Sequence, residues 1–175
     1  MSEAGKERGW MWGPHAGLAL LIALVVLVLD QANKWWLLEI YGIAERGRVT
    51  VTPFLDLVYV KNIGISYSLF DQESFTGQLM LAGFGAVASL VLWIWMARSG
   101  ASRLMAVSIA LIIGGALGNA IDRLRLGGVA DFYSLHAFGF YWYVFNIADV
   151  AIVAGVAGLL YDSLVGSRKD AAKPL

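Results

Sequence analysis

The sequence of 175 residues contains no cysteine, only two histidines and few charges. The absence of cysteine excludes disulfides, thiolate metal sites and a cysteine nucleophile. His15 and His136 alone leave little for a zinc site, so we expect no metal and no cofactor. Thirteen basic residues balance thirteen acidic ones, so no net positive field attracts nucleic acid, and we expect no nucleic-acid partner.

Apolar residues are what the chain has in excess. Hydrophobic types make up 59% of it and charged types 15%, whereas an ordinary soluble domain has about 45–50% and about 25%. The mean hydropathy is +0.68. This composition argues against a cytosolic domain and against a disordered chain. It predicts a single integral membrane domain over residues 1–175.

Four runs of low charge approach the length of about 20 apolar residues that a membrane-spanning helix needs. No small-x-small cleavage pattern follows the first run, so we interpret it as a retained span and not as a signal peptide. The second and third runs have no charge over 79–97 and 104–121. We expect an all-α membrane protein with four transmembrane helices, at about 16–38, 76–97, 103–121 and 143–164.

The segment between the first two spans has the pattern of strands. Residues 49–60 are rich in β-branched and aromatic types, with Pro53 at an edge or a turn. Residues 62–69 alternate polar and apolar types, as a half-buried strand does. We therefore expect a small outer-face β-sheet within about 49–70, and a possible short interfacial helix at 71–78.

Basic residues in short loops indicate the orientation in the membrane. Both tails and the 98–103 turn, placed on one side, carry Lys6, Arg8, Arg98, Arg103, Arg168, Lys169 and Lys173. The longer segments on the other side carry Arg46, Arg48, Lys61, Arg123 and Arg125. The side with the denser basic residues faces the cytoplasm, so we expect both termini to be cytoplasmic.

Several ionisable residues lie inside or beside the spans, where a charge at the bilayer centre costs roughly 2.5–3.5 kcal/mol. Asp30 and Lys34 lie four residues apart, and we expect an internal ion pair on one face of the first helix. Asn119 lies one turn before Arg123, so both can face the same gap, and Asp122 beside Arg123 also fits a helix-end ion pair. The glycines and alanines of 114–120 let another helix approach closely.

Two further acids, Asp131 and Asp149, are the candidates for chemistry. Asp149 is preceded by Asn146, three residues earlier on nearly the same helix face. Two carboxyl groups that face each other at a membrane boundary share a proton. The ionised one can then deprotonate a water while the protonated one donates to a carbonyl oxygen, as in an aspartic hydrolase. These residues alone leave two other readings open, a structural hydrogen bond between helices and a proton-coupled transporter that uses Asp149.

Four blocks of the sequence together resemble the bacterial lipoprotein signal peptidase family, signal peptidase II. They are Asp-Gln-Ala-Asn-Lys-Trp at 30–35, Asn-Ile-Gly-Ile-Ser-Tyr-Ser at 62–68, Gly-Gly-Ala-Leu-Gly-Asn-Ala-Ile-Asp-Arg at 114–123 with Gly-Val-Ala-Asp-Phe at 128–132, and Phe-Asn-Ile-Ala-Asp at 145–149. The second block departs from the family's Asn-x-Gly-Ala-Ala-Phe-Ser. Ile65 is bulkier and Tyr67 adds a hydroxyl, changes that could reshape a substrate-facing strand.

The resemblance implies an intramembrane aspartic endopeptidase of the bacterial inner membrane, with its site near the periplasmic face. Its substrate is a prolipoprotein with a diacylglyceryl-modified cysteine, which it cuts just before that cysteine. It uses no metal and is inhibited by the cyclic peptide globomycin. One chain holds a complete site, so we expect a monomer in contact with membrane lipid.

The resemblance also implies a role for each matching residue. Asp131 and Asp149 form the catalytic pair. The residues that line the site and hold substrate are Asn62, Gly64, Asn119, Arg123 and Asn146, and those that give structural support are Asp30, Lys34 and Asp122.

Other intramembrane peptidase classes lack their motifs in this chain. His-Glu-x-x-His and Gly-x-Gly-Asp are absent, and we expect Ser134 and His136 in an aromatic loop and not on neighbouring helices. A small proton-coupled transporter is the alternative function. It would need its acid near the membrane midplane, whereas a lipoprotein peptidase needs both acids at the outer face.

Overall fold

The computed structural model describes residues 10–64 and 74–171, without the side chains of 165–171. In chain order the elements are α1 (Ala16–Trp35) with a π-helical continuation (Trp36–Ile40), α2 (Ile43–Arg46), β1 (Val49–Thr52), β2 (Leu55–Asn62), α3 (Phe75–Arg98), α4 (Arg103–Leu126), β3 (Val129–Ala137), β4 (Phe140–Phe145) and α5 (Ile147–Ala171).

Four helices are long and apolar enough to cross a membrane, namely Ala16–Ile40, α3, α4 and the part of α5 up to Leu164. The first has 25 residues, which corresponds to about 37 Å at 1.5 Å per residue, more than the bilayer core of about 30 Å. The prediction of a helical membrane protein with four spans and a small sheet is confirmed.

Two of the predicted span boundaries differ from the structure. The fourth helix begins at Ile147 and not at about 143, because β4 continues to Phe145. The third continues past 121 to Leu126, where Gly127 ends it in a left-handed conformation with φ 68°.

Helix α4 is the centre of the bundle and packs against α1, α3 and α5. Its Gly114 lies against the backbone of Ala23 in α1, so closely that a Cβ there would come within 2.7 Å of the Ala23 carbonyl oxygen. On the other side, Gly115 lies against the carbonyl of Ala148 in α5. The small residues of this segment do permit the close approach of helices that the sequence predicts.

The four strands form one antiparallel sheet in the order β1-β2-β3-β4. Strands β1 and β2 follow α1, and β3 and β4 follow α4, so both pairs lie at the same end of the bundle. The expected β region of 49–70 contains strands at Val49–Thr52 and Leu55–Asn62. The predicted strand beyond Asn62 is wrong for Ile63 and Gly64, while 65–70 lie outside the described residues.

The connection between α4 and α5 is a β-hairpin and not the aromatic loop that the sequence predicts. Ser134 and His136 are both in β3, which pairs with β4 through a two-residue turn at Phe138 and Gly139. These two turn residues have φ values of 52° and 80°, as a tight hairpin that matches the twist of its strands requires. The interfacial helix expected at 71–78 is also not separate, because α3 already begins at Phe75 with Ser74 as its N-cap, while 71–73 lie outside the described residues.

A cluster of buried apolar side chains joins the sheet to the adjacent end of α1. Leu37 and Ile43 pack with Ala130 and Phe132 of β3, all of them at most 1% exposed. Because side chains alternate along a strand, Ala130 and Phe132 point into this cluster and Asp131 points to the opposite face. This packing fixes the face of the sheet on which Asp131 lies.

Candidate active site

Asp131 and Asp149 lie on different elements and are joined through Asn146. Asp131 is on β3 and is 2% exposed, and Asp149 is in the first turn of α5. The side-chain amide of Asn146 donates to Asp131 Oδ1 at 2.6 Å, and its backbone N–H donates to Asp149 Oδ2 at 3.1 Å. The structure therefore brings the two predicted acids to opposite sides of one asparagine.

A reciprocal capping arrangement positions Asp149. The N–H of Asp149 donates to Asn146 Oδ1 at 2.9 Å, while Asp149 Oδ2 accepts from the N–H of Asn146. This is a capping box, in which the side chain before the helix and the side chain three residues later satisfy each other's backbone N–H. The sequence Asn-Ile-Ala-Asp thus starts α5 and fixes its acid at the helix N-terminus, where negative charge is stabilised.

Two more predicted asparagines hold the acids. Asn119 Nδ2 donates to Asp149 Oδ1 at 2.9 Å, and Asn119 Oδ1 accepts from Asn146 Nδ2 at 3.2 Å. Asn62, at the end of β2, donates to Asp131 Oδ2 at 3.3 Å. Each acid therefore has an amide donor at both carboxyl oxygens.

Arg123 lies beside this group and contacts the segment after β2. Its Nη1 donates to the carbonyl oxygen of Asn119 at 3.2 Å and its Nη2 to that of Gly64 at 2.8 Å. The N–H of Gly64 donates in turn to Asn62 Oδ1 at 3.1 Å. Arg123 Nε is buried and has no hydrogen-bond partner within 10–64 and 74–171. Asn119 and Arg123 do share one gap, as the sequence predicts.

Asp30, Lys34 and Asp122 lie behind the acids and form an ion-paired group. Lys34 Nζ lies 2.9 Å from Asp30 Oδ2 and 2.6 Å from Asp122 Oδ2, with all three side chains at most 4% exposed. The expected pair of Asp30 with Lys34 is confirmed. The helix-end reading of Asp122 is not, because across the described residues its ion pair is with Lys34 and not with Arg123.

Gln31 completes this group and was not among the site residues predicted from the sequence. Its side-chain amide donates to Asp122 Oδ1 at 2.9 Å, to Asp30 Oδ2 at 3.2 Å and to the carbonyl of Gly118 at 3.2 Å. Its position next to Asp30 inside the first motif block was the available signal. We call Asp30, Gln31, Lys34 and Asp122 the Lys34 cluster.

The environment of Asp131 shifts its proton equilibrium strongly. Burial, and secondly the nearby charge of Asp149, raise the pKa of Asp131 from 3.8 to about 7, against the opposing effect of the amides of Asn146 and Asn62. Amide donors at both oxygens suit the ionised form, so desolvation and like charge outweigh hydrogen bonding here. The two acids therefore have unequal surroundings, because only Asp149 lies at a helix N-terminus.

Asp149 also forms part of the wall of a pocket of about 430 Å³. The rest of the lining is apolar or aromatic and comes from β3, β4 and α5, including Trp142, Phe145, Val150 and Val153. Val150 and Val153 are exposed on α5, so the pocket continues onto an exposed apolar face of this helix. Within the described part of the chain, no group of three or more histidine, cysteine or acidic residues is placed to hold a metal ion.

A second polar cluster lies on the outer sheet. Asp56 is 2% exposed, lies 2.9 Å from Arg48 Nη1 and 3.3 Å from His136 Nε2, and Ser134 Oγ also accepts from Arg48. The hydrogen bond from Arg48 lowers the pKa of Asp56 most, against burial. Ser134 is itself 1% exposed, so this cluster ties β2 to β3 and does not offer a nucleophile to substrate.

Fold and site together define a polytopic membrane protein with two neighbouring carboxyl groups, one buried and one partly exposed, at one end of its helical bundle. A family model described as signal peptidase (SPase) II matches residues 22–165. The chain belongs to this family and is a membrane peptidase, as the sequence motifs predict. Family membership also argues against the transporter alternative.

Individual relatives agree with this assignment. The chain is 56% identical over 153 residues to a lipoprotein signal peptidase of Rhodopseudomonas palustris, covering 85% of this chain and 93% of that protein. It is 52% identical over 151 residues to one of Methylocella silvestris, covering 86% and 88%. A bacterial membrane enzyme solved by the in meso method at 2.3 Å superposes with a TM-score of 0.74 at 29% identity, covering 91% and 94%.

Proposed function

We propose that this peptidase removes the signal peptide from lipid-modified prolipoproteins by cutting just before the diacylglyceryl cysteine. The observation that carries the proposal is the pairing of Asp131 and Asp149 through Asn146 in unequal surroundings. The names of the relatives, lipoprotein signal peptidases, support the substrate class. The apolar pocket beside Asp149 supports a substrate with a lipid part.

In the proposed reaction, Asp149 is the general base and Asp131 the general acid. The raised pKa of Asp131, about 7, leaves this carboxyl group protonated in about half of the molecules at pH 7. Asp149 lies in the first turn of α5, where the helix N-terminus stabilises a carboxylate. Asp149 takes a proton from a water, whose oxygen attacks the scissile carbonyl carbon, while Asp131 donates its proton to the carbonyl oxygen. When the C–N bond breaks, the proton held by Asp149 passes to the amine nitrogen of the lipidated cysteine. One hydroxyl group of the tetrahedral intermediate returns its proton to Asp131 as the new carboxyl group forms, which restores both acids.

The other polar residues then hold the acids and the substrate. Asn119 and Asn146 fix the two carboxyl groups, and Asn62 holds Asp131 from the side of β2. We expect Arg123 to hold substrate as well, because its side chain donates to the carbonyl of Gly64, just after the end of β2, and keeps this residue beside the acids. Asp30, Lys34 and Asp122 support the site from behind.

The depth of the site fits a substrate anchored in the outer leaflet. Both acids lie at the end of the bundle that carries the sheet, where α4 ends and α5 begins. Arg98 and Arg103 flank the short turn at the opposite end, and this turn is on the cytoplasmic side. We infer that both termini are cytoplasmic, that the site is near the periplasmic face of the inner membrane, and that the enzyme works as a monomer in contact with lipid.

The direct test compares two forms of one substrate. A purified prolipoprotein with and without its diacylglyceryl group is incubated with the full chain in detergent or lipid, and cleavage is followed by gel shift and mass spectrometry. We expect cleavage before the cysteine in the lipidated form only, and inhibition by globomycin. Equal cleavage of both forms would contradict the assigned substrate, and cleavage at another bond would contradict the assigned position.

A further inference from the structure

We propose that Lys34 is a positioning residue that sets the separation of the two catalytic carboxyl groups. Its ammonium group holds two carboxylates, and each of these anchors the backbone immediately before one of the catalytic acids. The catalytic roles of Asp131 and Asp149 rest on the proposed function, but the anchoring itself does not.

One arm of this arrangement runs from Lys34 to Asp149. Asp30 Oδ2 lies 2.9 Å from Lys34 Nζ, and the other oxygen, Oδ1, accepts the N–H of Ala148 at 3.0 Å. Ala148 precedes Asp149 in the first turn of α5, where backbone N–H groups have no partner within the helix. Asp30 therefore fixes the start of α5 relative to α1.

The other arm runs from Lys34 to Asp131. Asp122 Oδ2 lies 2.6 Å from Lys34 Nζ and also accepts the N–H of Ala130 at 3.2 Å. Ala130 precedes Asp131 and is fully buried in the cluster that joins the sheet to α1. Asp122 therefore fixes the start of β3 relative to α4.

The third donor of the ammonium group acts on the site directly. Lys34 Nζ donates to Asn119 Oδ1 at 3.1 Å, which turns the Nδ2 of Asn119 toward Asp149. A lysine ammonium has three N–H donors and no acceptor, and here Asp30, Asp122 and Asn119 take all three. One side chain thus fixes both backbone segments and the amide that holds the base.

The cost of this arrangement indicates a purpose beyond stability. Taking three charged groups out of water is expensive, and apolar side chains of similar volume often stabilise a fold as well or better. A buried ion pair does, however, specify one geometry, because alternative arrangements leave a charge without a partner. Catalytic rates depend steeply on such geometry, since a misplacement of 1 Å can cost about 10²-fold.

The test uses two variants of the Lys34 cluster in the full chain. Lys34→Met removes the ammonium group. The double variant Asp30→Asn with Lys34→Met also removes it but keeps the summed formal charge of Asp30, Lys34 and Asp122 at −1, so it tests the geometry if the single variant does not fold. Arg48→Met is the matched control, because it breaks the ion pair with buried Asp56 in the outer sheet.

Two readouts separate positioning from stability. For folded variants at matched temperature, we expect kcat to fall at least about tenfold with KM within about twofold, because substrate is bound by other residues. We also expect faster hydrogen exchange at the N–H of both Ala130 and Ala148, measured by NMR. The Arg48→Met control should change neither kcat nor these two amides.

The outcomes distinguish this proposal from the function it builds on. A parent that cleaves no lipidated prolipoprotein would refute the proposed function, and the exchange of the two amides would then still test the anchoring. A folded variant of either kind with the kcat of the parent would overturn the positioning role. So would unchanged exchange at Ala130 and Ala148, or a loss of kcat that the Arg48→Met control reproduces.

Discussion

Asn146 donates its side-chain amide to Asp131 at 2.6 Å while its backbone N–H donates to Asp149 at 3.1 Å. The same residue is the N-cap of α5, since its Oδ1 accepts the N–H of Asp149 at 2.9 Å. Helix initiation and alignment of the two acids are therefore carried out by one residue. This double role can be separated by substitution.

Two replacements of Asn146 should differ in stability but not in activity. Asn146→Ser keeps a capping oxygen, whereas Asn146→Ala loses it and should lower the free energy of unfolding by about 1 kcal/mol more. Both variants lose the amide that reaches Asp131, so both should lower kcat. Thermal unfolding and turnover, measured in parallel, check this. Parental turnover in Asn146→Ser would show that the contact with Asp131 is not needed for catalysis.

Activity should fall as the pH rises through about 7. The proposed acid Asp131 must carry a proton, and burial together with Asp149 raises the pKa of Asp131 to about 7. One pH unit above that value, only about a tenth of the molecules keep this proton, so kcat at pH 8 should be about tenfold below its maximum. The pH–rate profile checks this, with circular dichroism at each pH as the control for folding. A rate that still rises above pH 8 would exclude Asp131 as the acid.

The same shift predicts how stability depends on pH. The pKa of Asp131 is about 7 in the folded protein and about 3.8 in the unfolded chain. Between about pH 4 and about pH 7 the folded state therefore binds more protons than the unfolded state. The parent should lose stability as pH rises from about 4 to about 7, by up to about 4 kcal/mol in all. Asp131→Asn has no titrating group at this position, so its free energy of unfolding should not show this fall. The difference in stability between variant and parent should therefore shift in favour of the variant as the pH rises over the same range. A constant difference between the two unfolding curves would contradict the shift.

The close contact of α4 with α5 should be sensitive to a single methyl group. A Cβ at Gly115 would collide with the carbonyl of Ala148, next to Asp149. Gly115→Ala should therefore lower the free energy of unfolding by about 1–3 kcal/mol and reduce turnover. Gly83→Ala in α3 is the control, because nothing lies within 4 Å of its added Cβ, and its stability should stay equal or rise by up to about 1 kcal/mol. Similar losses in both variants would show that the contact with Ala148 is not the cause, because alanine favours a helix more than glycine does.

The spans could be predicted from the sequence because charge-free apolar runs as long as 79–97 and 104–121 are typical of helices that cross a membrane. The start of the fourth helix could not. Residues 140–145 are aromatic and β-branched and directly precede an apolar helix, so hydrophobicity alone does not separate the strand from the helix. The turn at Phe138 and Gly139 carries only one glycine as a signal.

Within the site, the chemistry was easier to predict than the contacts. Asp131 and Asp149 are 18 positions apart in the sequence, and they come near each other only because β3 and β4 form a hairpin. The partner of Asp122 was misjudged because adjacent residues in a helix do not face each other. Its partner Lys34 lies on α1, in contact with α4, and such pairing depends on how the helices pack.

The most direct test of the account is cleavage of a diacylglyceryl prolipoprotein by the parent chain, Asp131→Asn and Asp149→Asn in parallel. We predict cleavage before the lipidated cysteine by the parent and a loss of at least about 10²-fold in each variant, the usual contribution of an acid or a base. Both variants should remain folded and still bind a globomycin-type inhibitor at least in part. Substantial turnover by either folded variant would remove that aspartate from the catalytic pair and contradict the account.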